Sequence, residues 1–245
     1  MNDLYQKFAV DYDEFGRIED YLGDEKNFLQ KIFVENNVEK VLDCACGTGQ
    51  HLLMLSDLGY IAFGSDYSKE MLSVAKNNLK KHNYNIPLRQ CDFRLLENTF
   101  DEKFDAVLCM TNSLPHLHED EDLICALKSM KNRLRSGGII ILSSGTTEAN
   151  LKLPPIEVVV NREDFSRIFI KEYDGKLQTI NIVDLFHSKE RIESNQYKIV
   201  YRVLFNYDYK ELLSKAGFKK VDIYGDYSGT PYDKNSRRII VVARI

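Results

Sequence analysis

The residues whose types and spacing suit ligand chemistry fall into a few short groups. Residues 43–49, DCACGTG, form a loop of very small side chains with an acid at its mouth. Asp66 and Asp92 each close an apolar run, and MTNSLPHL over residues 110–117 carries Asn112, Ser113 and His116. Gly47 and Gly49 let a ligand approach the backbone because no Cβ stands in the way. A carboxylate at the position of Asp66 can accept both hydroxyls of a ribose, and one at Asp92 can accept from an exocyclic adenine amine. The amide oxygen of Asn112 could orient an amine, and His116 could act as general base toward a hydroxyl.

Each group also has a plainer reading. Asp43 could cap the following helix, Asp66 could form a turn with Ser68, and Asn112 could bond local backbone. His116 and His118 make an HxH pair, but no further ligands cluster nearby in sequence, so no metal is expected. Cys44, Cys46, Cys91, Cys109 and Cys125 are odd in number and contain no CxxC pair, which points to reduced core thiols in a cytoplasmic protein.

These residues need a scaffold that gathers strand ends. Residues 40–143 alternate between strand-like runs, at 40–45, 60–66, 86–92, 104–110 and 139–142, and helix-like segments. Met71, Leu72, Ala75 and Leu79 share one helical face behind a Ser68 cap. Leu123, Leu127, Met130 and Leu134 share another, with Gly137 or Gly138 as the left-handed stop. The alternation predicts an α/β fold: a doubly wound, mostly parallel seven-stranded Rossmann-like sheet, with its functional residues at the carboxyl ends of the strands.

After LPP at 153–155 the pattern changes to β-branched and aromatic runs, with Asp174-Gly175 as a hairpin turn. The expected organisation is an N-terminal helical lid segment (1–38), a cofactor-binding core (39–150), an antiparallel β insertion after the fifth strand serving as substrate lid (151–206), and a C-terminal helix with the last two strands (207–245). Asp208 and Glu211 stand at capping-box spacing for that helix, and Gly217 is its stop.

The chain has 245 residues, 44% of them hydrophobic, enough for one well-buried core. Its formal charge of −4 argues against a nucleic-acid partner. No run approaches the roughly 20 apolar residues of a membrane span, and the acidic, aromatic N-terminus is unlike a secretory signal. A nicotinamide dinucleotide would want GxGxxG and a cradle for its diphosphate. Here the spacing is AxGxG, and Asp43 would repel phosphate. S-adenosylmethionine carries an adenosine with an ammonium and a sulfonium instead of phosphate, and an acid at the loop mouth suits it.

VLDCACGTGQ, GSDYSKEML, CDF, FDAVLCMTNSLPHL and LRSGGIIIL resemble, in order and spacing, the successive motifs of class I S-adenosylmethionine-dependent methyltransferases. DCACGTG, YLGD at 21–24 and NSLPHL are most similar to the glycine and sarcosine N-methyltransferases, and the ending GDYSGTPYDKNSRRIIVVA to small-molecule methyltransferases. The resemblance implies S-adenosyl-L-methionine as cofactor, with Asp66 on the ribose, Asp92 and Phe93 bordering the adenine, and Ala45 lining the cofactor. It extends the cofactor set to Asp43, Cys46, Gly47, Gly49, Tyr67, Met71, Met110 and Ser113, with Tyr12 and Tyr21 closing over the site. It places Asn112 toward the substrate amine and His116 beside the cofactor. One position departs from the family: an arginine that grips an amino acid carboxylate just after the fifth strand is replaced here by Gly145. Glycine as acceptor would then require Arg162, Arg167 or Arg202 from the insertion.

The expected function is therefore methyl transfer to a small-molecule acceptor, at an amine nitrogen. The alternatives are O-methylation of a hydroxylated metabolite, an NAD-dependent oxidoreductase, and a non-catalytic cofactor-binding protein.

Overall fold

The computed structural model describes residues 8–9, 12–15, 23–188 and 191–245. The strands β1 (Lys40–Asp43), β2 (Ile61–Asp66), β3 (Leu88–Gln90), β4 (Phe104–Cys109) and β5 (Leu134–Ser144) pair in parallel. An insertion follows, built from β6 (Ile156–Asn161), β7 (Phe165–Tyr173), β8 (Leu177–His187) and β9 (Ile192–Arg202), all antiparallel. The last strands, β10 (Lys220–Tyr224) and β11 (Ile239–Arg244), return to the first sheet, where β11 lies antiparallel to β5. The resulting seven-stranded order is β10-β11-β5-β4-β1-β2-β3, and the insertion sheet runs β6-β7-β8-β9.

Helices α1 (Gly23–Glu35), α2 (Gln50–Asp57), α3 (Lys69–Lys81), α4 (Asp120–Asn132) and α5 (Asn206–Ala216) cover the two faces of the larger sheet. Side chains alternate across a strand, so Ile140 and Leu142 enter one core with Phe104, Leu127 and Leu213, while Ile139 and Ile141 enter the other with Phe28, Phe33 and Leu52. Burying each such side chain contributes about 1.5–3 kcal/mol. Under the insertion sheet a third cluster joins Phe8 to Ile182, Tyr197, Ile199 and Tyr201.

Ser68 caps α3 as its spacing implied, accepting from Met71 N at 3.2 Å, and Met71, Ala75 and Leu79 form the buried face. Gly217 takes the left-handed stop of α5 at φ 86°. Two expectations are corrected. Helix α4 ends at Asn132, so Leu134 belongs to β5, and Gly137 with φ 76° lies within that strand beside the register shift against β4. Asp208 is not the first residue of a capping box: α5 begins at Asn206, and the Asp208 carboxylate reaches back to accept from Phe205 N at 2.8 Å. Of the expected N-terminal lid, α1 packs in the core through Phe28, Leu29, Ile32 and Phe33, because its apolar side chains meet the sheet. Tyr21 lies outside the described residues.

Candidate functional site: a cleft at the carboxyl ends of β1, β2 and β4

The small-residue loop leaves β1 and is pinned at once to its neighbour, with Cys46 N donating to Ser65 O at 2.9 Å. Gly47 and Gly49 have φ of 52° and 86°, the left-handed region that a Cβ disfavours. A Cβ on Gly47 would meet nothing within 4 Å, so the backbone faces open space there. On the other side, a Cβ on Gly49 would sit 3.2 Å from Ala75, so that glycine serves loop-to-helix packing.

Asp66 closes β2 beside this opening. Its Oδ2 accepts from Gly47 N and its Oδ1 from Ser68 N, both at 2.9 Å. Burial pushes its carboxyl above the ordinary value, against the pull of the Ser68, Gly47 and Tyr67 amides. Each carboxylate oxygen accepts more than one hydrogen bond, so both retain capacity for ligand hydroxyls.

A cavity of about 90 Å³ opens here. Of the residues expected from the sequence, Tyr12, Ala45, Gly47, Asp66, Tyr67, Met71, Phe93, Ser113 and His116 line it. Cys44, Ser68, Thr111 and Tyr201 join them. Thr111, a β-branched residue, has φ 53°, a strained backbone of the kind found at ligand sites. Nothing in its type signals that conformation. Tyr201 comes from β9 and packs edge-on against His116 with centroids 4.9 Å apart. Burial, reinforced by His118, lowers His116 to about 4, so its imidazole is neutral near pH 7. Burial, with Asp66 and Asp13 beside it, pushes the Tyr12 phenol up to about 12.

Asp13 makes contacts beside the cleft that spacing did not reveal. It accepts from Thr48 Oγ1 at 2.6 Å, Gln50 Nε2 at 3.0 Å and Asn78 Nδ2 at 2.9 Å, which ties the segment bearing Tyr12 to the loop and to α3.

Other expected residues stand off the cavity wall. Cys46 and Met110 are packed in the core. Asp92 is one of these: its carboxylate is gripped by Arg94, Nη2 to Oδ2 at 2.6 Å, and also caps the following turn through Arg94 N at 2.9 Å. Charge-assisted bonds of this kind compete directly with an adenine amine. Asn112 is another. Its Oδ1 accepts from Ser144 Oγ and Gly145 N, both at 2.8 Å, so the oxygen assigned to an acceptor amine is engaged by local structure. Arg238 stacks on Tyr227 at 5.1 Å. His118 has Nε2 3.2 Å from Val200 O.

Asp43 lies just behind the wall, fully buried. Its Oδ1 accepts from Ala45 N at 3.2 Å, and its Oδ2 has no hydrogen-bond partner among the described residues. Burial raises this carboxyl to about 6, against the pull of His51 and the Ala45 amide.

Taken together, the wall holds the aromatic rings of Tyr12, Tyr67, Phe93 and Tyr201 and the Asp66 carboxylate, with no lysine or arginine among the described lining residues. Aromatic faces and carboxylates attract cations, whereas a dinucleotide diphosphate would find no counter-charge. The open cradle at Gly47, the acid at Asp66 and the orphaned oxygen of Asp43 fit S-adenosylmethionine.

Comparison with known proteins agrees with this chemistry. Residues 41–138 match the family described as methyltransferase domain. The chain is 27% identical over 249 residues to a glycine/sarcosine N-methyltransferase of Aphanothece halophytica, covering 100% of this chain and 90% of the relative. Among solved structures, an S-adenosylmethionine-dependent methyltransferase from Clostridium acetobutylicum superposes with a TM-score of 0.83 at 23% identity, over 98% of both chains. The sugar N-methyltransferase KedS8 from Streptoalloteichus sp. gives 0.75 at 22% identity, over 100% of this chain and 93% of its own.

Proposed function

We propose that the chain is a class I S-adenosylmethionine-dependent methyltransferase that methylates the nitrogen of a small-molecule amine lacking a carboxylate, an amino sugar being the leading candidate. The observation that carries this reading is the uncharged acceptor end of the cleft. His116 is neutral there, lowered to about 4 by burial and by His118. Arg167 is spent on Asp184, Nη2 to Oδ2 at 2.6 Å, with neither side chain exposed. Arg202 is spent on His118 O at 2.6 Å and Asp120 at 2.8 Å. Arg162 is exposed and lies 3.6 Å from Asp164. A carboxylate brought into such a place would lack the bidentate partner that offsets its desolvation.

When bound, S-adenosylmethionine supplies a methyl carbon already activated by its sulfonium. The chain's own task is to orient the acceptor and exclude water. Holding it in line can lower the barrier by roughly 7–11 kcal/mol. A low-polarity pocket also favours the uncharged amine, the nucleophilic form, because burial disfavours its ammonium. His116 can accept a hydrogen bond from that amine, but a group titrating at about 4 is a weak base for a hydroxyl. Nitrogen is therefore the better acceptor. Support also comes from the names of similar proteins, which include glycine/sarcosine and sugar N-methyltransferases. A small molecule rather than nucleic acid accords with the net charge of −4.

The test is a coupled assay for S-adenosylhomocysteine release with amino sugars, other neutral-bodied amines, glycine, sarcosine and phenols. Turnover confined to the carboxylate-free amines is the expected result. Best activity with glycine would refute the charge argument, and best activity with phenols would refute the nitrogen assignment.

A further inference from the structure

Behind the cofactor loop lies a buried line of titratable groups that the reaction as described above leaves unused. Tyr227 OH donates to Glu25 Oε1 at 2.8 Å, and the same oxygen is 3.1 Å from His51 Nε2. The other ring nitrogen, Nδ1, lies 3.8 Å from Asp43 Oδ2. That is the oxygen without a hydrogen-bond partner among the described residues. Glu25 comes from α1, His51 from α2, Asp43 from β1 and Tyr227 from the segment after β10. We propose that His51 is a positioning residue which holds the Asp43 carboxylate as an anion for the cofactor's ammonium group, and that Glu25 and Tyr227 hold His51 in that role. The proposal rests on the reading of the small-residue loop as the cofactor site.

The physical case begins with cost. A fully buried carboxylate with an idle oxygen is unfavourable unless a cation reaches it. Burial alone drives Asp43 toward its neutral acid, and repulsion from Asp66 and Glu25 acts in the same direction. A neutral acid offers an ammonium no charge. The counterweight is His51. Burial would strip its proton, but Glu25, by charge and hydrogen bond, and Asp43 push it up to about 9. It is therefore an imidazolium near neutrality, placed between two carboxylates. Arg238, stacked on Tyr227, adds positive charge beside Glu25. Glu25, His51 and Asp43 together sum to one negative charge, which an incoming ammonium neutralises.

A cluster that merely fastened α1 to the sheet would matter equally to every ligand of the cleft. The proposed role matters only to a ligand with an ammonium. The experiment is calorimetric titration of the full chain with S-adenosylhomocysteine and with 5′-methylthioadenosine, which keeps the nucleoside and thioether but lacks the amino acid end, from pH 6 to pH 9. In His51→Gln, S-adenosylhomocysteine should bind about tenfold more weakly near pH 7, for a rise of about two units at Asp43 from its value of about 6. That affinity should be regained toward pH 9 as Asp43 ionises unaided. Methylthioadenosine affinity should be unchanged throughout, and His51→Lys, which keeps a cation, should restore the wild-type pH profile.

Equal losses for both ligands, or a His51→Gln profile identical to wild type, would overturn the proposal. Wild type also carries a test that needs no variant: the His51 imidazole, followed by NMR, should stay protonated through pH 8 and shift with S-adenosylhomocysteine but not with methylthioadenosine. Titration near the ordinary 6.5 would count against it. Failure of wild type to bind either ligand would instead overturn the cofactor-site reading, and this proposal with it.

Discussion

Arg167 and Asp184 stand directly opposite each other on β7 and β8 and form a bidentate ion pair, with Nε–Oδ1 and Nη2–Oδ2 both 2.6 Å. The guanidinium also lies 5.1 Å from the ring of Phe8. This pair leaves Arg167 engaged within the insertion, not available to grip a substrate carboxylate. Its charge is already matched. Removing one partner strands a buried charge, so Asp184→Asn should lower stability by about 3–5 kcal/mol. Replacing both, as in Arg167→Met with Asp184→Leu, should recover most of that loss. Urea denaturation of the two variants measures the difference.

His116 gives a pH-dependent signature. Its pKa is about 4 in the folded protein, against an ordinary 6.5. Between those values the unfolded chain binds the extra proton, so stability rises with pH there. The His116 contribution is complete above pH 6.5 and is lost progressively as pH falls toward 4, by on the order of 3 kcal/mol. His116→Phe should flatten that part of the stability curve. The same variant should slow methylation of an amine by less than about tenfold, while a loss of 10²–10⁴ would identify His116 as a general base.

Asp66 lines the cleft, and the proposed cofactor site assigns its carboxylate to the ribose hydroxyls. Hydrogen bonds to a charged group contribute about 1.5–3 kcal/mol each, so Asp66→Ala should weaken S-adenosylhomocysteine binding by about 100-fold or more. Calorimetry measures this directly. Unchanged affinity would remove Asp66 from the site.

Asn112 tests whether its side chain serves the turn or the acceptor. With φ 63° and its amide oxygen bonded to Ser144 and Gly145, it holds the turn after β4 in place. Asn112→Ala should cost about 1–2 kcal/mol of stability, from the lost acceptor and from a Cβ-bearing residue less tolerant of the left-handed region. Asn112→Gly keeps the backbone freedom and should cost less. Thermal unfolding separates the two. A stable Asn112→Ala protein with abolished turnover would restore the side chain to the acceptor site.

Read from the chain alone, the Rossmann-like order, the glycine loop, the Ser68 cap and the Gly217 stop are all legible. They depend on local chemistry: a period of two or 3.6, a hydroxyl at a helix start, a residue free of Cβ where φ is positive. The strand-end rule likewise brings Ala45, Gly47, Asp66, Tyr67 and Ser113 to one cleft. Frames slipped where a local signal had two solutions, as with Asp208, whose carboxylate serves equally well at the first or the third position of a helix.

What only the tertiary structure decided is which distant groups share a charge or a hydrogen bond. Tyr201 on His116, Asp13 on Thr48 and Asn78, Arg94 on Asp122, and His51 between Glu25 and Asp43 all join segments by packing that no periodicity encodes. Periodicity says which face of an element is buried; it does not say what lies across from it. A carboxylate's availability is set by those neighbours, and for that reason Asp66 faces the cleft with capacity to spare while Asp92 is held by an arginine two residues away.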